Sequence, residues 1–344
     1  MNDRFLKACK REPVDCTPIW FMRQAGRHLS EYKRIRERHD VLSICKTPEL
    51  CAEVSTMPVD VFDVDAAIIF ADIMLPLEGM GVKLEIKEGI GPIISNPIRD
   101  SKAVASLQDF DAKRDVPFIL DAILLAKRRL RQRVPLIGFC GAPFTIASYL
   151  IEGRPTRDFI KTKTLMYQDP SAWDSLLEKL ATAMSLYLQA QIHAGVDAVQ
   201  LFDSWVGCLS PTDYHRYVLP HSQQIFESVK DSGIPRIHFG TGTSTLLEEM
   251  KQAGGDVFSI DWRIPIDQAW QRLGEGVAVQ GNLDPAVLLA NTKLIEAHAT
   301  EILKKTSHRL GHIFNLGHGM LPDTPTENVI ELVRFIHNTK MDGS

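Results

Sequence analysis

Short apolar runs recur along the chain, each followed by a polar or glycine-bearing turn and then by sequence with helical spacing. The first spans Thr17 to Met22 and gives way to Arg23 and a charged helical stretch through about Arg38. Ala66 to Phe70 ends at Asp72, Val134 to Cys140 at Gly141-Ala142-Pro143, and Ala198 to Phe202 at Asp203-Ser204. Ile234 to Phe239 ends at Gly240-Thr241-Gly242, and Val257 to Ile260 at Asp261. Val277 to Gln280 ends at Gly281-Asn282, and His312 to Leu316 at Gly317-His318-Gly319. Helix-period sequence lies between most successive pairs and is clearest over Leu176 to His193 and Thr245 to Ala253. An extra alternating run, Val82 to Lys87, predicts a small hairpin with Ile90 to Ile94, turning at Gly89 and Gly91.

Short buried strands alternating with helices imply a parallel sheet with right-handed crossovers. Eight such units predict an α/β fold closed into a single (β/α)8 TIM-type barrel, with the hairpin near residues 82–94 as an addition. The length of 344 residues alone would suggest two domains. Barrels routinely exceed about 250 residues as one unit, so residues 1–344 are expected to form one catalytic domain. In such barrels the working groups sit at the C-terminal ends of the strands. Arg23, Asp72, Asp203, Ser204, Asp261, Asn282 and His318 all follow an apolar run here rather than precede one. Asp, Ser and Asn after a strand also serve as helix caps and turn formers, and Asp261 and Asp284 read best that way. That explanation fits poorly for Arg23 and Arg27, and for a histidine flanked by glycines.

Composition removes several classes of function. With 44% hydrophobic and 24% charged residues, the chain can bury a large core without disulfides or metals. No stretch approaches the roughly 18 consecutive apolar residues of a membrane span. The charged start MNDRFLKACKREPVD lacks the apolar core of a secretory signal, so a soluble, cytoplasmic protein is expected. Cys9, Cys16, Cys45, Cys51, Cys140 and Cys208 form no C-x-x-C pair and sit beside no histidine at metal-ligand spacing; they read as reduced, mostly buried thiols. A P-loop, a strand-linked G-x-G-x-x-G and H-E-x-x-H are absent, which argues against nucleotide, dinucleotide and zinc chemistry. Gly240-Thr241-Gly242 is too short to establish a phosphate loop. The net charge of −4 attracts neither nucleic acid nor an acidic membrane. Attraction for an anion must therefore come from a local cluster.

The segment Met22-Arg23-Gln24-Ala25-Gly26-Arg27 supplies that cluster. Planar guanidinium groups suit carboxylates, and Gln24, Ala25 and Gly26 between them let backbone N–H groups approach a ligand. Lys33, Arg34, Arg36 and Arg38 follow on a helix whose basic face could equally be solvated. Asp72 lies among apolar neighbours in Phe70-Ala71-Asp72-Ile73, where a partly desolvated carboxylate can accept N–H donors or stabilise a cation. Tyr149 follows the Gly141-Ala142-Pro143-Phe144-Thr145 turn; an isolated tyrosine on a helix is more often core. Ser204 has no G-x-S-x-G elbow around it.

Seven segments together resemble the uroporphyrinogen decarboxylase family: PIWFMRQAGR (18–27), FADIM (70–74), GFCGAPFTIASYLIEG (138–153), LFDSW (201–205), IHFGTG (237–242), QGNLDP (280–285) and NLGHG (315–319). They run in order over almost the whole chain. The resemblance implies a single barrel that works without metal or organic cofactor, as a cytoplasmic homodimer. It implies removal of four acetate carboxylates from uroporphyrinogen III as CO2, giving coproporphyrinogen III. Arg23 and Arg27 match arginines that bind substrate carboxylates, with Gln24, Ala25 and Gly26 completing the loop and Arg36 as a further partner. Asp72 matches the aspartate that faces the pyrrole N–H groups. Tyr149, Ser204 and His318 match groups around the macrocycle, and Phe139 and Phe202 match apolar walls. The resemblance thus implies catalytic roles for Asp72, Arg23, Arg27, Tyr149 and His318. Two stretches depart from the pattern: His28-Leu29-Ser30 after the arginine loop, and Trp205 after Ser204. The alternative within the same fold is a corrinoid-dependent methyltransferase holding zinc. It needs a His-x-Cys pair, where this chain has His238-Phe239-Gly240.

Overall fold

The computed structural model describes residues 2–87, 91–307 and 309–339. Its main sheet is parallel and seven-stranded. The strands run in chain order: β1 (Ala67–Ile68), then, beyond the hairpin strands β2 (Leu84–Lys87) and β3 (Gly91–Ile94), β4 (Leu136–Gly141), β5 (Ala198–Asp203), β6 (Arg236–Gly240), β7 (Val257–Ser259), β8 (Ala278–Gln280) and β9 (His312–Ile313). Helices fill the crossovers, among them Pro117–Leu130, Pro170–Ala194 and Leu247–Ala253.

The eighth position belongs to the segment predicted as the first strand, though it is not a regular strand. Only Ile19 makes a ladder contact, a parallel bridge to Phe314. On one side the Phe314 N–H donates to the Pro18 carbonyl at 2.8 Å. On the other, the Asp65 N–H donates to the Ile19 carbonyl at 2.8 Å, and the Asp65 carboxylate accepts the Ile19 N–H at 2.7 Å. The segment therefore closes the gap between β9 and β1. Pro18 is one reason the ladder is thin, since proline has no N–H to donate.

A polar chain inside the barrel crosses the same closure. Trp20 Nε1–H donates to Gln280 Oε1 at 2.9 Å, and Gln280 Nε2 donates to Ser259 Oγ at 2.9 Å and to Gln200 Oε1 at 3.3 Å. All four residues are buried, so these bonds satisfy groups that would otherwise be costly to desolvate. Around them lies one continuous apolar core. The barrel expected from the sequence is present; most strands are shorter than their apolar runs, while β4, β5 and β6 each run one residue past the expected C-terminal end.

The hairpin is present as antiparallel β2 and β3, with Leu84 opposite Ile94 and Lys87 opposite Gly91. Gly91 has φ +98°, a conformation that suits glycine. The predicted turn residue Gly89 and the strand start Ile90 lie outside the described residues. The helix expected directly after Arg23 begins only at Ser30 and runs to Arg36, leaving 24–29 as a loop. All six cysteines are free thiols, five of them buried. Among the described residues no helix is long and apolar enough to cross a membrane.

Candidate active site

A cavity of about 290 Å³ opens at the C-terminal ends of the strands. Of the residues singled out by sequence, Arg23, Gln24, Ala25, Asp72, Phe139, Tyr149, Phe202, Ser204 and His318 line it. Four loops, two strands and one helix deliver them, which is why no single stretch of sequence carries the whole site.

The arginine loop is held in place before it meets any ligand. Gln24 is fully buried; its Oε1 accepts the Phe21 N–H at 3.1 Å and its Nε2 donates to the Ala66 carbonyl at 3.0 Å. Both halves of that amide are thus spent on joining the loop to the strand beside it, so the side chain is framework rather than ligand clamp. The Met320 N–H donates to the Met22 carbonyl at 2.9 Å, tying the first strand loop to the last. Arg23 itself has φ +59°, a left-handed conformation that costs a non-glycine residue about 1 kcal/mol or more. Its side chain crosses Gly319 so closely that a Cβ there would stand 2.5 Å from Arg23 Cδ. The bare glycine is what lets the guanidinium lie beside His318.

Arg27 and Arg36 are not part of the cavity. They line a neighbouring groove of about 470 Å³ with Arg38, Lys87 and the carboxylates Glu37 and Asp40. Arg36 Nη1 donates to the His39 carbonyl at 2.7 Å. Gly26 lines neither space among the described residues, and a Cβ there would meet the His28 ring at 2.9 Å.

Asp72 caps its own turn: Oδ1 accepts the Met74 N–H at 2.8 Å. Its Oδ2 has no hydrogen-bond partner among the described residues, while the residue lines the cavity. Local capping and exposure to the cavity, alternatives from sequence, therefore coexist in one carboxylate. Burial raises its pKa above the ordinary carboxylate range, against the opposing pull of the Met74 N–H and the Arg23 guanidinium. Tyr149 stands on the helix Pro143–Glu152. Burial and the Asp72 charge push its phenol up, so it is a hydrogen-bonding group and not an anion at neutral pH.

His318 accepts the Gly319 N–H at Nδ1, 2.6 Å away. A neutral ring with that bond carries its proton on Nε2. Burial, with the charges of Arg23 and Arg263, pushes the imidazole down to about 4, so the ring is neutral at pH 7. It is a donor without charge. Its edge packs on Phe239 at 6.0 Å between centroids. Phe139, Phe202 and Phe239 continue as edge-to-face neighbours at 5.2 Å and 5.3 Å, making an apolar floor from β4, β5 and β6.

Sequence reasoning missed several lining residues, including Thr145, Trp205, Phe239 and Pro92. Phe239 had a readable signal, since it ends a strand opposite Phe202 in register. Pro92 had none, because only folding swings the hairpin over the cavity. The Gly240-Thr241-Gly242 turn serves the scaffold: Thr241 Oγ1 donates to the Ser204 carbonyl and the Gly242 N–H to Asp261 Oδ2. Asp261 also accepts the Arg263 N–H at 2.9 Å and Arg263 Nη1 at 2.7 Å, which makes it a clamp between loops as well as a cap. Asp284 is the simple cap expected of it, accepting the Ala286 N–H at 2.9 Å.

The fold and its cavity define an α/β-barrel protein with paired arginine and carboxylate groups at the mouth and aromatic walls within. The family model for uroporphyrinogen decarboxylase (URO-D) matches residues 1–339. The chain is 51% identical over 337 residues to uroporphyrinogen decarboxylase of Carboxydothermus hydrogenoformans, covering 98% of this chain and 96% of that one. It is 52% identical over 336 residues to the enzyme of the same name from Thermus thermophilus, covering 98% of each. The chain belongs to the uroporphyrinogen decarboxylase family. Among solved structures, a methyltransferase from Methanosarcina mazei superposes with TM-score 0.81 at 20% identity over 97% of each chain. A B12-independent methionine synthase from Shewanella sp. does so at 0.56 and 11% identity, over 84% of this chain and 86% of that one. Those two likenesses concern the fold alone. The chain is a decarboxylating lyase, and the methyltransferase alternative gives way to the full-length relatives at about half identity.

Proposed function

We propose that this enzyme removes the acetate carboxylates of uroporphyrinogen III as CO2 to give coproporphyrinogen III. The observation that carries the reading is the convergence of Arg23, Asp72, Tyr149, Ser204 and His318, from five parts of the chain, on one aromatic-walled cavity. Losing CO2 directly from a pyrrole acetate would leave an unstabilised carbanion. Protonating the ring carbon first gives a delocalised cation that takes up the electrons of the breaking bond.

In this reading the free oxygen of Asp72 accepts the pyrrole N–H groups and opposes the positive charge that grows towards the transition state. Arg23 grips a carboxylate inside the cavity, and its charge, with the Met74 N–H, pulls the Asp72 pKa down against the burial that raises it. Neutral His318 donates Nε2–H, and Tyr149 and Ser204 offer hydroxyls with no hydrogen-bond partner among the described residues. Arg27 and Arg36 hold carboxylates that project from the mouth, and Phe139 and Phe202 form the apolar wall. Gln24 and Gly26 shape the loop. We read the chain as one catalytic domain acting as a cytoplasmic homodimer on a small molecule, with no metal, organic cofactor, nucleic acid or membrane required.

Anaerobic incubation with uroporphyrinogen III, then oxidation and chromatography of the porphyrins, tests this. Coproporphyrin is the expected end product with no cofactor added. Retention of all eight substrate carboxylates by folded protein would refute it.

A further inference from the structure

Trp205 follows Ser204 at the cavity wall, and the structure gives that indole a definite setting. Its ring lies 3.8 Å from the Tyr149 ring, centroid to centroid, with the planes 31° apart. Phe159 packs against the indole edge-on at 5.1 Å, its backbone held at φ +51°. The Trp205 backbone N–H donates to Thr145 Oγ1 at 3.2 Å, and the same hydroxyl donates to Asp203 Oδ1 at 2.7 Å. Asp203 is fully buried, and its other oxygen has no hydrogen-bond partner among the described residues. The hydroxyl of Thr145 is therefore oriented from both sides: one direction is used to donate, another to accept. Tyr149, Thr145 and Trp205 all line the cavity.

We propose that Trp205 is a substrate-contacting wall that fixes the Tyr149 ring, with Thr145 and Asp203 as the positioning pair that fixes Trp205. This rests on the decarboxylase reading. The Tyr149 hydroxyl has no hydrogen-bond partner among the described residues, so ring packing is what sets the ring's angle. Stacked rings resist rotation, and a phenol held at one angle presents its hydroxyl to each pyrrole in the same place as the substrate turns. Trp205 lines the same cavity as Phe139, Phe202 and Phe239, so it adds to the apolar surface offered to pyrrole rings.

Steady-state kinetics and coproporphyrin titration of Trp205→Ala, Trp205→Phe, Thr145→Val and Thr145→Ser test the proposal together. Trp205→Ala is expected to lower kcat/KM by roughly tenfold or more and to weaken coproporphyrin binding. Trp205→Phe should retain most of both. Thr145→Val should lower kcat in the same direction, and Thr145→Ser, which keeps the hydroxyl, should restore it. If Trp205→Ala fails to fold, the Thr145 pair decides. Parent KM, kcat and coproporphyrin affinity in Trp205→Ala and Thr145→Val would overturn the proposal, even alongside a lowered Tm. A parent protein that binds coproporphyrin through Trp205 but decarboxylates nothing would instead overturn the function and leave the wall standing.

Discussion

At the residue scale the site is made of side chains whose ordinary properties have been changed by neighbours. Asp72 is the clearest case: one oxygen is used by the Met74 N–H and the other is left for the cavity. Asp72→Asn keeps the size and the turn acceptor but removes the charge. Turnover should fall by about 10²-fold or more with KM little changed, as for loss of a transition-state electrostatic group. Unchanged kcat in steady-state assays would refute the role. Gly319→Ala probes the other side. Its new Cβ would press on Arg23 Cδ at 2.5 Å and Cγ at 2.8 Å, atoms of a flexible side-chain stem and not of backbone, so the guanidinium moves and the fold survives. KM should rise severalfold with Tm nearly unchanged, and a large loss of Tm with parent KM would contradict that account. Arg23, Asp72 and His318 were legible in the sequence because charged or glycine-flanked residues follow apolar runs there. Thr145 and Trp205 were not, because a hydroxyl that links two loops has no signature along one.

At the element scale, what matters is how short strands are fastened. The first segment contributes a single bridge residue, so side chains must finish the closure. Asp65, fully buried at the N-terminal face, does much of this. Oδ1 accepts from Asn2 Nδ2 at 2.7 Å and Arg4 Nη1 at 3.0 Å; Oδ2 accepts from the Ile19 N–H at 2.7 Å and His337 Nε2 at 2.9 Å. One carboxylate thus joins the helix Arg4–Cys9, the first segment and the helix Thr326–Asn338. Asp65→Asn should cost about 3 kcal/mol in denaturant unfolding, because breaking a buried charged network strands its partners. Parent-like kcat/KM is expected in the folded fraction, since the network lies at the face away from the cavity. A loss below about 0.5 kcal/mol would show that the termini are held by something else. The apolar run Thr17–Met22 marked where this element is, but not that it would be a bridge and not a ladder. Pairing is decided by neighbours far off in sequence.

At the scale of the whole molecule, buried titratable groups set the pH range of stability. His238, His312 and His318 are each pushed by burial from 6.5 down to about 4. Between those values the unfolded chain binds protons that the folded protein refuses, so stability falls as pH drops through that window. Asp203, pushed by burial up to about 7, and Asp72, also raised, act in the opposite sense. Their stabilising contribution is present below the unfolded carboxyl range and lost as pH rises through the folded value. His28 and His221 are also lowered by burial, and five histidines against two carboxyls predict a Tm that declines from pH 6.5 to pH 4; a flat or rising Tm in calorimetry would contradict it. The sequence by itself determined the alternation of strand and helix, the polar residues at the strand ends and the membership of a decarboxylase family. These follow from local periodicity and from motifs that survive in order along the chain. Tertiary structure decided which of those residues share a cavity: Arg23 beside Gly319 and His318, Arg27 and Arg36 in the groove outside, Trp205 against Tyr149. Those distances depend on where a closed barrel brings its loops, and closure sums contributions from every strand at once.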